Sequence, residues 1–186
     1  MFDTYVALLE VKMGNQRRLE EEIERVALSE AYARPVGRLR CFHGIDYVTA
    51  LGIQSELVDV QRFASPRQLM DYVGLTVLEY SSGGLTRRGG ITKAGNHRLR
   101  RLLVEAAWHY RHRPALGKAL RERQAGQDPA VIAHAWRARQ RLYRRYHRLL
   151  QRMPSQKAVV AVARELVGFI WAVLRDEPQR LIGRPA

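Results

Sequence analysis

The chain has 186 residues, and its 32 Lys and Arg residues against 18 Asp and Glu residues give a net charge of +14. This length is sufficient for one domain with its own core, or for a small domain with a helical arm. The positive charge favours a polyanionic partner, nucleic acid being the simplest and an anionic membrane surface the competing one. A codon bias toward arginine is an alternative explanation; it explains why Arg outnumbers Lys, but not the size of the surplus.

Cysteine content and hydropathy exclude several other classes. The single cysteine, Cys41, excludes an internal disulfide framework and a zinc site of the usual spacing. Acidic residues interrupt the short apolar stretch at the N-terminus, which argues against a signal peptide. The most apolar tract, residues 158–174, carries Arg164 and Glu165 and therefore predicts a buried helix instead of a membrane span. We expect a cytoplasmic protein with no membrane partner.

Residues 16–33 have the pattern of an amphipathic helix with a row of glutamates on one side. The narrow apolar stripe of this helix consists of Leu19, Ile23 and Val26. Such a stripe is typical of a coiled-coil seam, so residues 1–35 are predicted to form a coiled-coil-like arm. Arg34-Pro35 is the expected boundary, and residues 36–186 are predicted to form a compact multi-helix domain.

A glycine turn, residues 40–46, separates two short predicted helices, the second spanning Tyr47 to Val58. This arrangement resembles a helix-hairpin-helix, which offers backbone N–H groups and a helix N-terminus to a DNA phosphate. Such hairpins usually carry a second glycine where Asp46 stands, so Asp46 has an alternative role as the N-cap of the second helix. Phosphate binding and simple capping both stay open, and capping is favoured.

Ser65-Pro66 predicts the start of a helix that ends at Gly74. The following residues, 75–95, are predicted to form a glycine-rich loop that contains Ser81-Ser82-Gly83-Gly84. Cleavage of a phosphodiester by a side chain needs a hydroxyl in line with the leaving oxygen, cations on the non-bridging oxygens and an acceptor for the hydroxyl proton. Ser81 and Ser82 are candidate hydroxyls with basic residues close by in sequence, although a Ser-Ser-Gly-Gly motif alone is more typical of a simple turn.

Three further helices are predicted after this loop. The first is capped by Asn96 and reaches about His112, and the second follows Asp128-Pro129 and extends to Met153. The second is the most basic segment of the chain, and its interleaved Arg and aromatic residues suit a nucleic-acid backbone. The alternative is a solvated basic helix whose tyrosines pack inward. The third, Gln156 to Leu174, has a broad apolar face and is predicted to be the central core helix.

No segment shows a sustained alternation of period two, so the chain is predicted to be all-α. The candidate nucleic-acid-binding residues are Arg87, Arg88, Lys93, Asn96, Arg98, Arg101, Arg141, Arg144, Arg145 and Arg148.

Several short motifs follow one another in a characteristic order between residues 39 and 113. They are Gly44-Ile45, Thr49-Ala50, Glu56, Arg62-Phe63, Gly74-Leu75, Ser81-Ser82-Gly83, Ile91-Thr92-Lys93-Ala94-Gly95-Asn96, Leu99-Arg100 and Glu105-Ala106-Ala107. In this order and spacing the chain resembles the C-terminal transposase domain of the insertion-sequence one-ten family, serine transposases guided by a bridge RNA. His43 and Asp46 depart from the hairpin pattern of that family, and Val77 stands where many members carry proline.

The resemblance implies cleavage and transfer of DNA strands through a phosphoserine intermediate, with Ser82, the serine before glycine, as the nucleophile. It implies DNA and the guide (bridge) RNA as partners and a nucleoid-associated location in a bacterium. Full-length members begin with a RuvC-like domain whose four carboxylates bind magnesium, followed by a coiled coil. We therefore expect this chain to lack that domain and to hold no cofactor or metal itself, Mg²⁺ being bound by the RuvC-like domain.

Two functional hypotheses remain open from the sequence. One is the transposase domain, acting as a homo-oligomer or together with a full-length transposase. The other is a catalytically silent nucleic-acid-binding remnant that associates with a full-length relative through the N-terminal helix.

Overall fold

Helices form most of the protein, and one short β-hairpin projects from them. A computed structural model describes residues 1–82 and 85–175, and for residues 79–82 and 85–88 it describes the backbone alone. The helices are α1 (Phe2–Ala27), α2 (Ala33–Arg40), α3 (Tyr47–Leu57), α4 (Pro66–Val73), α5 (His97–Trp108), α6 (Lys118–Gln124), α7 (Pro129–Leu150) and α8 (Ser155–Leu174). Short 3₁₀ turns lie at Val60–Arg62 and His109–Arg111, and the strands are β1 (Val77–Ser82) and β2 (Leu85–Ile91). The predicted all-α class is confirmed.

The last helix, α8, is the centre of the core, as its apolar pattern predicted. Its buried residues are Ala158, Val159, Val162, Ala163, Leu166, Val167, Gly168, Phe169, Ile170, Trp171, Ala172 and Val173. Helices α2, α4, α5 and α7 all pack against it. The indole Nε1 of Trp171 donates to the backbone oxygen of Phe63 at 2.9 Å, so even the polar atom of this buried ring is satisfied. None of the described helices combines the length and the apolar character that crossing a membrane requires.

The N-terminal helix differs from its prediction at both ends. It begins at Phe2 and ends at Ala27, and it packs against α3. Leu19 of the predicted apolar stripe exposes 64% of its surface, whereas Ala27, which is not part of that stripe, is buried. Arg34-Pro35 does not end a helix, because α2 starts at Ala33 and holds Pro35 in its first turn, where backbone N–H groups have no helical partner. The coiled coil and the division into two domains stay predictions.

Four helix caps predicted from the sequence are confirmed, whereas the cap expected for α8 at Pro154-Ser155 makes no side-chain hydrogen bond. Asp46 accepts a hydrogen bond from the backbone N–H of Thr49 at 2.8 Å and so caps α3. Ser65, Asn96 and Asp128 cap α4, α5 and α7 in the same manner. Each side-chain oxygen satisfies one of the N–H groups that the first turn of a helix leaves without a partner.

The loop predicted over residues 75–95 is in part a β-hairpin. β1 pairs with β2 in antiparallel register, with Val77 opposite Ile91, Tyr80 opposite Arg87 and Ser82 opposite Leu85. A shift in register between Val77 and Glu79 interrupts the ladder. The sequence did not reveal these strands because glycines and paired arginines in β2 conceal the alternation of period two.

Two backbone segments cross at the base of this hairpin in van der Waals contact. The N–H of Lys93 donates to Gly74 O at 3.2 Å, and the N–H of Asn96 donates to Tyr72 O at 2.9 Å. Gly74 and Gly95 have φ values of +73° and +113°. A Cβ at Gly95 would lie 2.2 Å from the oxygen of Tyr72, so only glycine fits there.

We predict that Gly95→Ala lowers the free energy of unfolding by at least about 2 kcal/mol, because the new methyl group meets a backbone oxygen and the residue keeps a positive φ. Gly90→Ala is the matched control, since a Cβ at Gly90 meets no atom within 4 Å. Urea unfolding followed by circular dichroism measures both. Equal stability of the two variants would show that the crossing is not as tight as described.

Candidate nucleic-acid interface

The backbone of the hairpin places the candidate nucleophile, Ser82, at the end of β1. Ser82 is the last residue of β1 and pairs with Leu85, and Ser81 pairs with Thr86. Arg87 and Arg88 stand on β2 opposite Tyr80 and Glu79. The side chains of Ser81, Ser82, Arg87 and Arg88 lie outside the described residues, so their roles stay predictions.

Asn96 belongs to a network of hydrogen bonds that holds the hairpin base to α3 and α5. Its Oδ1 accepts from the N–H of Leu99 at 2.9 Å, and its Nδ2 donates to Glu56 Oε2 at 2.6 Å. The hydroxyl of Tyr72 donates to the backbone oxygen of Glu56 at 3.2 Å, and its bond with Asn96 lowers the pKa of Tyr72. The fold therefore uses both polar atoms of the Asn96 side chain, which was a candidate contact to nucleic acid.

Arg98 and Arg101 lie on the exposed side of α5, as the sequence predicted. Arg98 Nη1 is 3.5 Å from Glu56 Oε1, and Arg101 Nε donates to Glu105 Oε1 at 2.9 Å. Their side chains are more than three-quarters exposed, so these ion pairs contribute little to stability. Both arginines line a groove of about 720 Å³ between α1, α3 and α5. Lys93, also exposed, has a positive φ of 54° at the hairpin base.

Four of the predicted basic residues come together on one face of α7. Their spacing of three and four residues places them on adjacent turns of the helix. With Glu165 of α8 they line a pocket of about 340 Å³, and they are Arg141, Arg144, Arg145 and Arg148. We call this the α7 arginine face.

Glu165 is the acidic group that accompanies these arginines. Its carboxylate accepts from Arg141 Nε, and its other oxygen is 2.9 Å from Arg145 Nε. The Glu165 side chain, on α8, is only 18% exposed. Three positive charges therefore remain in excess within this pocket, and the pocket is suited to an anionic group with several oxygens.

The aromatic residues of α7 are only partly available for stacking. Tyr146 is 4% exposed and belongs to the core. Tyr143 is half-buried and lies against the imidazole of His147, with a ring distance of 4.4 Å. The structure thus combines a basic outer face with tyrosines that pack inward or onto their own helix.

The turn that resembles a helix-hairpin-helix, predicted over residues 40–46, is closely packed against the end of α5. Gly44 has a φ of +81°, and a Cβ there would lie 2.7 Å from the ring of His109. Burial, followed by the nearby charge of Arg139, lowers the pKa of His43 to about 3. His43 is therefore neutral at physiological pH. Binding of phosphate by this turn stays a prediction.

Arg139 is the residue for which sequence reasoning gave the wrong environment. It belongs to the basic segment that was predicted to suit a nucleic-acid backbone, yet it is only 3% exposed, and burial lowers its pKa. Its guanidinium donates to the backbone oxygen of Arg113 at 2.9 Å. The signal was present in the spacing, because Arg139 follows Ala135 by one helical turn and precedes Leu142 by three residues, and both neighbours are buried.

The described residues contain no group of three or more His, Cys, Asp or Glu side chains that could hold a metal ion. The acidic residues of α1 are helix-surface residues. The described residues therefore offer no set of ligands that fits a magnesium ion.

Comparison with known proteins gives one family. Residues 37–121 match the family described as transposase IS116/IS110/IS902. The protein y4qE of Sinorhizobium fredii is 44% identical over 171 residues, which are 89% of this chain and 44% of that protein. The transposase for insertion sequence element IS1533 of Leptospira borgpetersenii is 30% identical over 162 residues, covering 86% of this chain and 45% of that protein.

A third relative is the transposase for insertion sequence element IS1111A of Coxiella burnetii. It is 28% identical over 162 residues, which are 87% of this chain and 38% of that protein. The chain thus spans less than half the length of each of these relatives.

Cys41, in the turn before α3, gives a prediction that depends on pH. Burial raises the pKa of its thiol to about 11, although nearby arginines act in the opposite direction. The unfolded thiol ionises near pH 8.5, so the stabilising effect of the neutral thiol is complete below that pH and is lost as the pH rises toward 11. The stability advantage of the wild type over Cys41→Ala should therefore shrink between these two pH values in urea unfolding.

The reactivity of the Cys41 thiol tests its burial independently. A disulfide reagent at pH 8 should label native Cys41 very slowly and the urea-unfolded chain rapidly, because the attacking species is the thiolate. Equally fast labelling of both forms would contradict the buried, protonated thiol.

Proposed function

Because the chain belongs to the transposase IS116/IS110/IS902 family, we propose that it is the part of an insertion-sequence transposase that binds DNA and carries the serine nucleophile. The observation that carries this proposal is the position of Ser82, which ends β1 on a hairpin whose base is fixed by a tight backbone crossing. A DNA substrate of this kind places the protein at the bacterial chromosome, in the cytoplasm.

The reaction is a transesterification at phosphorus. The Oγ of Ser82 attacks the phosphorus of a DNA phosphodiester, and a new Oγ–P bond forms while the bond to the leaving deoxyribose oxygen breaks. The proton of the serine hydroxyl is transferred to that oxygen. One phosphodiester replaces another, so the covalent intermediate retains the bond energy needed for joining to a second strand, and no nucleotide cofactor is consumed.

Cations near the hairpin suit the charge that develops on the phosphate oxygens. Arg87 and Arg88 lie on β2, the strand after the one that ends at Ser82. Lys93 and Arg98 come after the hairpin in the chain. Guanidinium groups bind two phosphate oxygens at once, which fixes orientation as well as charge. We assign these four residues to the reacting phosphate.

The α7 arginine face is assigned to the nucleic-acid backbone away from the reacting phosphate. It has a pocket of about 340 Å³ and a single carboxylate among four guanidinium groups. Its guanidinium groups suit contacts to phosphate oxygens, and such contacts do not depend on the base sequence. A guide RNA presents the same phosphates, so this face is also the candidate contact to RNA.

A second candidate function is a catalytically silent nucleic-acid-binding protein that associates through α1 with a second copy or with a full-length transposase. Exposed apolar side chains on the first half of α1 favour it. Phe2, Tyr5 and Leu9 expose 79%, 67% and 57% of their surface, and they recur at helical spacing on one side.

We predict a covalent adduct between the chain and DNA bearing the ends of an insertion sequence of this family. The adduct should survive denaturing electrophoresis, with wild type and with Ser81→Ala, and should be lost in Ser82→Ala, because only Ser82 is assigned as nucleophile. The reaction is run with and without a full-length relative.

The outcomes separate the two candidates. An adduct that persists in Ser82→Ala contradicts the assignment of the nucleophile. No adduct in either reaction, combined with retained DNA binding, favours the catalytically silent protein.

We predict that Arg148→Gln weakens binding to duplex DNA of any sequence and reduces the slope of log K against log salt by about 0.9 for one lost phosphate contact. Arg67→Gln, on the exposed side of α4, removes the same charge elsewhere. Fluorescence anisotropy at several salt concentrations measures both, and parallel titrations with RNA compare the two partners. The same slope for both variants would remove Arg148 from the interface.

A further inference from the structure

Arg62, in the 3₁₀ turn between α3 and α4, is an exposed arginine held over two aromatic rings. Its guanidinium carbon lies 4.7 Å from the ring centre of Phe63 and 4.6 Å from that of Tyr72. The two ring centres are 5.2 Å apart. A guanidinium favours this position because the face of an aromatic ring carries partial negative charge. The two rings therefore restrict the Arg62 side chain, although it lies at the surface.

The backbone next to Arg62 is fixed to the central helix α8. The backbone oxygen of Phe63 accepts from Trp171 Nε1 and from Arg175 Nη1, each at 2.9 Å. Trp171 is 2% exposed and Phe63 is also buried, so this attachment belongs to the core. Both the backbone and the side chain of Arg62 are thus held in place in the free protein, which reduces the ordering that a ligand would have to impose.

Arg62 has no acidic partner among the described side chains, those of residues 1–78 and 89–175. It acts on the hydroxyl of Tyr72, whose pKa is lowered first by Asn96 and then by Arg62. The N–H groups of a guanidinium lie in its plane, so stacking on rings leaves its edges available to an acceptor. Arg98, by contrast, is already paired with Glu56.

A continuous series of contacts connects Arg62 to the base of the hairpin. The hydroxyl of Tyr72, whose ring lies against Arg62, is 3.5 Å from Asn96 Nδ2. The same Nδ2 donates to Glu56 Oε2 at 2.6 Å, and the other oxygen of Glu56 is 3.5 Å from Arg98 Nη1. Arg62 and Arg98 are therefore attached to one network of side chains, at the place where the hairpin joins the helices.

We propose that Arg62 binds a phosphate of the DNA backbone beside the hairpin base, and that Phe63 and Tyr72 position its guanidinium for this contact. This role rests on the proposed function. An oriented guanidinium donates two parallel N–H groups to two oxygens of one phosphate, a geometry that an ammonium group does not reproduce. Arg62 therefore joins the basic residues of the interface as a contact that is prepared before DNA binds.

Binding of a short duplex DNA of mixed sequence tests this role. Arg62→Gln should weaken binding about tenfold and reduce the slope of log K against log salt by about 0.9, the effect of one lost phosphate contact. Arg17→Gln is the matched control, because exposed Arg17 of α1 lines a pocket with Glu20, Glu21 and Glu24 and should not contact phosphate. Fluorescence anisotropy at several salt concentrations measures both, and circular dichroism checks that each variant is folded.

The conservative variant Arg62→Lys separates geometry from charge. It keeps the positive charge, so the salt slope should stay that of the wild type. Its affinity should fall at least about threefold, because an ammonium group neither lies flat on the two rings nor donates two parallel N–H groups. Wild-type affinity in Arg62→Lys would show that charge alone acts and would contradict positioning by the rings.

The position of Arg62 is also measurable by NMR in the absence of DNA. The ring currents of Phe63 and Tyr72 should shift the Hε resonance of Arg62 upfield from that of Arg17, which has no ring contact among the described residues. Addition of duplex DNA should then perturb the Arg62 resonance and leave that of Arg17 in place. An Arg62 resonance without the upfield shift would contradict the stacked geometry.

The outcomes separate this role from the proposed function. If the wild type binds DNA and Arg62→Gln keeps its affinity and salt slope, the role of Arg62 is overturned and the assignment of Ser82 is unaffected. If the folded wild type does not bind DNA, the proposed function is overturned, and the role of Arg62 with it.

Discussion

The backbone crossing at the base of the hairpin is the constraint on which the candidate site depends. Gly74 and Gly95 bring the end of α4 and the start of α5 so close that a Cβ on either would meet a backbone oxygen at 2.2 Å. Asn96 then caps α5 and donates to Glu56 of α3. These contacts hold both ends of the hairpin against three helices, so the strand that carries Ser82 starts from a fixed point.

Helix α7 shows how one helix serves the core and a charged surface together. Its inner side buries Leu142 and Tyr146 against the rest of the core, and its outer side carries the α7 arginine face. Arg139 is the exception, because it takes a positive charge inside. Glu165 balances part of the charge on the outer face, whereas the described residues offer Arg139 no carboxylate, and its guanidinium donates to the backbone oxygen of Arg113.

Local signals in the sequence were reliable where one residue determines one interaction. Asp46, Ser65 and Asn96 cap their helices as expected, because a short polar side chain before a helix has few other roles. The hairpin was missed, since pairing between strands depends on a partner segment and not on the strand alone. Asn96 was assigned to nucleic acid because the sequence cannot show that Glu56 and Tyr72 lie beside it.

The sequence by itself determined the helical class, the central role of α8 and the family motifs, because these follow from periodicity and from the order of residues along the chain. The choice of Ser82 over Ser81 is implied by the family resemblance and stays a prediction. The tertiary structure alone decided which arginines face outward together and which one is buried. It also decided that the segment around Ser82 is a hairpin on a tight glycine crossing. Both results depend on contacts between residues far apart in the chain, which no local pattern encodes.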